Sequence, residues 1–121
     1  MSTDSRHHLG QLGETIAAEH LLRLGYSVVA RNHRTRFGEL DIVALGQETL
    51  VFCEVKTRRG SGEPWDALDE RKRAQVRRMA AAYLAEANDR PRAENVRFDA
   101  IGIVIDGAGR LSRLEHLEGA F

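Results

Sequence analysis

The chain is poor in the residues that mark several protein classes. Its 121 residues include one cysteine, Cys53, which excludes an internal disulfide, and no cysteine–histidine set has zinc-finger spacing. The longest apolar run is far short of the ~18 residues that a transmembrane helix needs. Residues 1–10 carry no apolar segment, so no secretory signal is expected. These absences predict one domain in a reducing, cytoplasmic compartment.

Familiar catalytic motifs are missing as well. The sequence has no phosphate-binding P-loop, dinucleotide-binding glycine fingerprint, serine-hydrolase elbow or zinc-protease motif. A strong charge of one sign is also absent, because 18 basic and 18 acidic residues balance. Residues 31–92 nevertheless hold 13 of the 18 basic and 10 of the 18 acidic residues. This mild basic excess permits a polyanionic partner but does not require one.

Helical and strand patterns alternate along the chain. Apolar residues recur at helical spacing in two segments, and short apolar runs bounded by turn residues predict strands between and after them. The predicted order is α-β-β-β-α-β, a mixed α/β layer fold, with residues 1–9 as a frayed segment and 31–36 as a basic connector. The predicted helices cover 10–24 and 69–87, and the predicted strands cover 26–30, 39–45, 50–57, 97–105 and, as a short fifth, 113–117.

The second and third predicted strands carry charges where a buried sheet is expected to be apolar. Side chains alternate faces along a strand, so Glu39 shares a face with Asp41, and Glu54 shares a face with Lys56. If Gln47–Glu48 is a two-residue hairpin turn, Asp41 lies opposite Glu54 and Glu39 lies opposite Lys56. Opposed Cβ atoms in such a pair are ~4.5–5.5 Å apart.

Two carboxylates at that distance repel each other unless a positive charge lies between them. A hard divalent cation such as Mg²⁺ suits this position, because it takes oxygen ligands and often only one or two carboxylates. The ammonium of Lys56 would reach the same place. A metal that polarises a phosphate, together with a lysine that stabilises charge or positions water, indicates phosphoryl chemistry.

Other interpretations of the acid pair stay open. Alternating charges are common on solvated hairpins, where Glu54 and Lys56 would form an ordinary surface pair. A three-residue loop with a bulge would also break the proposed register. A glycosidase with two carboxylates fits the acids but leaves Lys56 without a role.

Several further residues are candidates for the same chemistry. Glu14, at the edge of the first helix's apolar stripe, is a further candidate ligand. Lys72 falls inside the apolar stripe of the second helix, where it either snorkels to solvent or points at a phosphate. Asp99 is expected to pair with an arginine, and Cys53 is expected in the core. The candidate nucleic-acid contacts are Arg34, Arg36, Arg58, Lys72, Arg73 and Arg77.

At these residues the chain resembles a known superfamily. The segment 38–41, Gly-Glu-Leu-Asp, followed by 52–58, Phe-Cys-Glu-Val-Lys-Thr-Arg, resembles the PD-(D/E)XK nucleases. More closely, the chain is similar to the YraN family of small bacterial proteins related to Holliday-junction resolvases. One departure is Leu40, which stands where the superfamily name has proline. Further matching segments are 10–14, 25–26, 31–32, Gly62, Pro64 and Ala67 before Lys72, 97–99 and 120–121.

The resemblance implies roles for individual residues. Asp41 and Glu54 would be the metal-binding acids, with the Val55 carbonyl and Glu14 as further ligands. Lys56 would be the catalytic lysine. The implied fold is a restriction-endonuclease-like α/β core, an α-β-β-β-α-β order with a mixed sheet flanked by helices.

The resemblance also implies an activity and partners. The implied activity is hydrolysis of phosphodiester bonds in DNA with Mg²⁺ or Mn²⁺, and a homodimer follows by analogy with resolvases. Some members of the superfamily keep the fold but have lost catalysis. The alternative is a module of the same fold that binds nucleic acid or adapts a complex without catalysis.

Overall fold

The structure, a computed structural model, describes residues 3–60, 63, 65, 69–86 and 92–121. It confirms the predicted α-β-β-β-α-β order, with the fifth strand at its end. No helix in this part of the chain combines the length and apolar character that a bilayer span requires. The elements are α1 (Thr3–Arg23), β1 (Ser27–Thr35), β2 (Gly38–Gly46), β3 (Thr49–Arg59), α2 (Glu70–Glu86), β4 (Asn95–Ile105) and β5 (Leu111–Leu117).

The five strands form one mixed sheet in the order β1-β2-β3-β4-β5. The pair β3–β4 is parallel, and the other three pairs are antiparallel. Parallel neighbours need a long crossover connection, which α2 occupies between β3 and β4. Strand β3, which carries Glu54 and Lys56, is therefore the centre of the sheet.

The core has two apolar layers, one on each face of the sheet. Residues of α1 pack on one face and residues of α2 pack on the other, so the sheet lies between two helices. The alternation of side chains along each strand supplies both layers. The α1 layer includes Ala17, Leu21, Ile42, Cys53 and Ile103, whereas the α2 layer includes Leu40, Val43, Phe52, Val76 and Met79.

The β2–β3 hairpin has the predicted register. Pairs run from Gly46–Thr49 to Ile42–Cys53 across a two-residue turn. Gln47 and Glu48 both adopt left-handed backbone angles, with φ of 50° and 64°, as a type I′ hairpin turn requires. The recorded ladder ends one pair before Asp41 and Glu54. These two carboxylates therefore lie at the open end of the hairpin.

Three expectations from the sequence need correction. The first helix begins at Thr3, so residues 3–9, expected to be frayed, are helical. The basic connector 31–36 is mostly strand, because β1 continues to Thr35 along β2. Glu39 is not paired with Lys56 in the recorded register. Instead, its carboxylate lies 3.8 Å from an exposed Arg34 guanidinium. Of the matching segments, Gly62, Pro64 and Ala67 lie outside the described residues.

Candidate functional site

The site begins where β2 leaves its regular alternation. Leu40 packs in the α2 layer and Ile42 packs in the α1 layer, although residues two apart share a face in a regular strand. Asp41 lies between them, at the change of face. Its Oδ2 accepts a hydrogen bond of 2.8 Å from the backbone N–H of Val55. The carboxylate of Asp41 thus bonds β3 at the end where the backbone ladder stops.

Glu54 is a buried carboxylate with two cationic partners. It is 3% exposed, and its Oε1 lies 3.3 Å from Lys56 Nζ and 3.1 Å from Lys72 Nζ. A buried charge is costly unless it is paired, so the two ammonium groups compensate the burial. Lys72 is held in the first turn of α2, where its backbone N–H donates to Asp69 Oδ1. The inward-facing Lys72 therefore binds a carboxylate, an outcome that the sequence pattern did not indicate.

Both lysines of the chain are at this one carboxylate. The other 16 basic residues among the 18 are arginines. Arginine keeps its proton under all ordinary conditions, whereas lysine is a compact point charge whose proton affinity responds to its surroundings. The protein thus uses lysine only beside Glu54.

Asp41 holds its proton more tightly than an ordinary aspartate does. Burial, and then the charge of Glu54, raise the pKa of Asp41 from 3.8 to about 8. The hydrogen bond from Val55 opposes this shift, and the charge of Glu14 adds to it. The acids therefore crowd each other as predicted, and a cation beside Asp41 would relieve the crowding.

A close contact between α1 and β3 brings Glu14 to the acid pair. Gly13 is buried, and a Cβ at this position would collide with Thr57 Oγ1 and lie 2.9 Å from Thr57 Cβ. Only glycine allows the helix this near. Burial raises the pKa of Glu14, a hydrogen bond from Asn32 opposes the rise, and Glu54 contributes electrostatically. Glu14 therefore interacts electrostatically with both acids, and its role as a further ligand stays a prediction.

The site offers oxygen ligands of the kind a hard cation takes. The N–H and C=O of one strand residue point to the same side, so the Val55 carbonyl faces the gap that Asp41 spans. Among the residues that the structure describes, no three Asp, Glu, His or Cys side chains converge closely enough to form a metal cluster. The ligands on hand are therefore two carboxylates and a carbonyl, with Glu14 beyond them.

The predicted phosphate contacts are spread over the surface, except for Lys72. Arg34 and Arg58 are exposed near the ends of their strands, and Arg36 stacks over the Phe37 ring at 4.8 Å. On α2, the nearest guanidinium nitrogens of Arg73 and Arg77 lie 3.7 and 4.0 Å from the Glu70 carboxylate. No contact joins these arginines to the acid pair in the described residues. Their part in binding stays a prediction.

A second polar cluster lies under the other end of α1. The expected arginine partner of Asp99 is confirmed, since Arg97 Nε donates to its Oδ1 at 2.8 Å. His116 Nε2 lies 2.7 Å from Asp99, and its Nδ1 lies 3.0 Å from His20 Nε2. Burial would raise the pKa of Asp99, but the bonds from His116 and Arg97 outweigh it and hold the pKa at about 2. These bonds join α1, β4 and β5.

Comparison with known proteins gives a family and close relatives. A model of the "Uncharacterised protein family UPF0102" matches residues 13–103. A UPF0102 protein of Parafrankia sp. (strain EAN1pec) is 47% identical over 115 residues, covering 93% of this chain and 95% of its own. One from Acidothermus cellulolyticus is 44% identical over 133 residues, with coverages of 99% and 98%. One from Mycobacterium tuberculosis is 40% identical over 125 residues, with coverages of 98% and 96%.

Proposed function

The chain belongs to the uncharacterised protein family UPF0102, and from that premise we propose that it is a metal-dependent phosphodiesterase that cleaves DNA. One observation carries the proposal. Asp41, Glu54 and both lysines meet at the open end of one hairpin. Neighbouring acids with an adjacent lysine are the groups that metal-assisted phosphoryl chemistry uses.

The residues fit a Mg²⁺- or Mn²⁺-type ion. Asp41 and Glu54 would hold it, with the Val55 carbonyl and Glu14 as further oxygen ligands. Mg²⁺ usually keeps several waters and takes one or two carboxylates, so a fuller protein cage is not needed. The donor set is the sign of fit, because Asp41 bonds the backbone of Val55 beside the buried Glu54, so two carboxyl groups adjoin at one point of the sheet. When bound, the ion would polarise a phosphate oxygen and acidify a water.

The two lysines have the other roles in this mechanism, which are to orient water and to stabilise negative charge. Lys56, on the same strand as Glu54, is placed to orient the attacking water or to stabilise the extra negative charge of the pentacoordinate transition state. Lys72 approaches Glu54 from α2 and shares its Oε1 with Lys56. If Glu54 held an ion, its attraction for the two ammonium groups would be shared with that ion, and Lys56 and Lys72 would be freer to bind phosphate oxygens.

A cleavage assay tests the proposal. Wild type, Lys56→Ala and Arg110→Ala are incubated with labelled single-stranded, flap, four-way and linear duplex DNA and a structured RNA, in Mg²⁺, Mn²⁺ or EDTA. Arg110 is an exposed cation of the β4–β5 turn and is the matched control. We expect cleavage of at least one DNA with metal, a loss of about 100-fold or more for Lys56→Ala, and no change for Arg110→Ala. The proposal is contradicted if wild type cleaves as fast in EDTA as in metal, or if Lys56→Ala cleaves as fast as wild type.

One observation favours a second candidate function. Glu54 already has two cationic partners, so the site is partly neutralised without metal. A module that binds nucleic acid without cleaving it would keep such a site as a structural ion pair. It predicts DNA affinity that falls with salt, weakens in Arg73→Glu and Arg77→Glu, and is indifferent to Asp41→Asn. Metal-dependent cleavage by wild type would exclude this alternative.

A further inference from the structure

A cavity of about 430 Å³ opens beside the acid pair, between the first turns of α1 and the β1–β2 hairpin. Its volume lies within the ~300–1,000 Å³ of small-molecule sites. Glu39 in the cavity wall lies two residues before Asp41 on β2, and Glu14 follows Gly13, which packs against Thr57 of β3, so the two places adjoin. None of the roles assigned so far uses the rest of this cavity. Its lining also includes Arg6, His7, Gly10, Gln11, Asn32 and Glu39.

Gly10 indicates that the cavity is a built feature of α1. A glycine inside a helix is less favourable than an alanine, because it loses more backbone freedom on folding. The cost of Gly13 has a packing reason in the close approach of Thr57. Gly10 has none of that kind, because an added Cβ would meet nothing within 4 Å. Because Gly10 has no side chain, the space at this part of the cavity wall stays open.

The lining chemistry suits a base better than a phosphate. The lining carries two carboxylates, Glu14 and Glu39, against one guanidinium, Arg6, so its charge favours an anion less than that of the lysines at Glu54. The amide of Gln11 carries donor and acceptor groups, and the amide of Asn32, which donates to Glu14, also carries an acceptor oxygen; base edges pair with such groups. The ring of His7 offers a surface on which a base can stack. Phosphates are left to the two lysines that contact Glu54 and that are not part of the cavity lining.

We propose that this cavity binds one unpaired nucleobase of the substrate, next to the phosphodiester bond that is cut. The inference rests on the proposed function and deepens it, because it names the substrate class as DNA with an unpaired nucleotide. A base inside a duplex is stacked and paired, and it cannot enter a pocket without leaving the helix. A bulge, flap or branch supplies such a base at lower cost.

Filling the cavity tests the inference. Gly10→Leu places a side chain in the open space and favours the helix, since leucine is a better helix former than glycine. Gly107→Leu is the matched control, because Gly107 is exposed in the β4–β5 turn and also has open space around it. Fluorescence anisotropy in Ca²⁺ measures the affinity for three labelled DNAs. These are a paired duplex, the duplex with one bulged nucleotide, and the same bulge without its base. Cleavage of each is then measured in Mg²⁺.

We expect wild type and Gly107→Leu to bind the bulged DNA about tenfold more tightly than the other two, because only this DNA has an unpaired base that can stack in the cavity. Gly10→Leu is expected to bind all three alike while its melting temperature stays at or above that of wild type. Equal binding by wild type, or an undiminished preference in Gly10→Leu, overturns the base pocket. Cleavage by wild type would then still support the phosphodiesterase. If Gly10→Leu loses the preference for bulged DNA, the base pocket is supported even when no DNA is cut. In that case only the proposed phosphodiesterase activity fails.

Discussion

Replacing Asp41 by asparagine is expected to stabilise the metal-free protein and, at the same time, to abolish cleavage. Asparagine has the same shape and keeps an oxygen that can accept the hydrogen bond from Val55. It removes the negative charge that crowds Glu54. A residue that serves only the fold would lower stability when replaced, so opposite effects on activity and stability identify a site residue.

The size of the effect follows from proton linkage. The pKa of Asp41 is about 8 in the folded protein and 3.8 when unperturbed. Between these values the folded state binds more protons than the unfolded chain, so the free energy of unfolding falls as pH rises and levels off above the folded pKa. The full difference corresponds to ~5–6 kcal/mol, at about 1.4 kcal/mol per unit. Water entering the partly exposed site reduces it, and we expect Asp41→Asn to gain ~1–3 kcal/mol between about pH 6 and about pH 9.

Urea unfolding in EDTA measures this gain. Trp65, the one tryptophan of the chain, bonds Glu115 on β5 through its indole N–H and reports unfolding by fluorescence. Glu19→Gln is the control, because it removes an exposed carboxylate of α1 that has one weak ion pair. The control is expected to follow the wild-type pH profile. If Asp41→Asn also follows it, or is less stable than wild type at about pH 9, the like-charge argument is refuted.

Metal supplies a second arm of the same experiment. An ion that binds only the folded state stabilises it by about 2.7 kcal/mol at a concentration 100-fold above its dissociation constant. Mg²⁺ or Mn²⁺ is expected to raise the melting temperature of wild type above about pH 8, where Asp41 is ionised, and to leave Asp41→Asn unchanged. Equal shifts in both proteins would place the ion elsewhere.

Three further predictions concern the same framework. The pKa of His20 is lowered by burial, and then by the nearby His116, so stability should fall as pH drops below 6.5. The urea midpoint of His20→Gln should fall less than that of wild type over this range, and equal slopes of midpoint against pH would count against the prediction. Gly13→Ala should lose ~1–3 kcal/mol by forcing α1 from β3. Adding Thr57→Ala, which removes the nearest atom, should recover part of it, and strictly additive losses would contradict the contact. After ¹³C-methylation, the NMR signals of both lysines should move together in Glu54→Gln or with Mg²⁺, whereas movement of one alone would disprove the shared oxygen.

The register of the central hairpin was predictable because turn length determines strand parity. A two-residue turn at Gln47–Glu48 sets every pair of β2 and β3, so the acids had to approach each other. The continuation of β1 to Thr35 was not predictable in this way. Strand β1 is an edge strand with exposed side chains such as Arg31 and Arg34, and its polar sequence lacks the apolar alternation that indicates a strand.

The rest of the site depends on how the helices dock. The periodicity of α2 placed Lys72 on the inward face, but the rotation of the helix on the sheet decides that its ammonium reaches Glu54. The early start of α1 was not predictable, because its first turns have no apolar stripe. They line an open cavity and not a core. Gly10 and Gly13 are visible in the sequence as helix-interior glycines. Their opposite reasons, open space and close contact, appear only in three dimensions.

The parallel pairing of β3 with β4 also determines the order in which the site can assemble. Residues paired in the β2–β3 hairpin are 3 to 11 positions apart, whereas those paired between β3 and β4 are 46 apart. Closing the longer loop costs more chain entropy, so local hairpins are favoured to form first. We therefore expect the two acids to meet while still hydrated, when their repulsion is weak. We expect Lys72 to arrive later with the crossover helix, as β4 closes the sheet and water leaves.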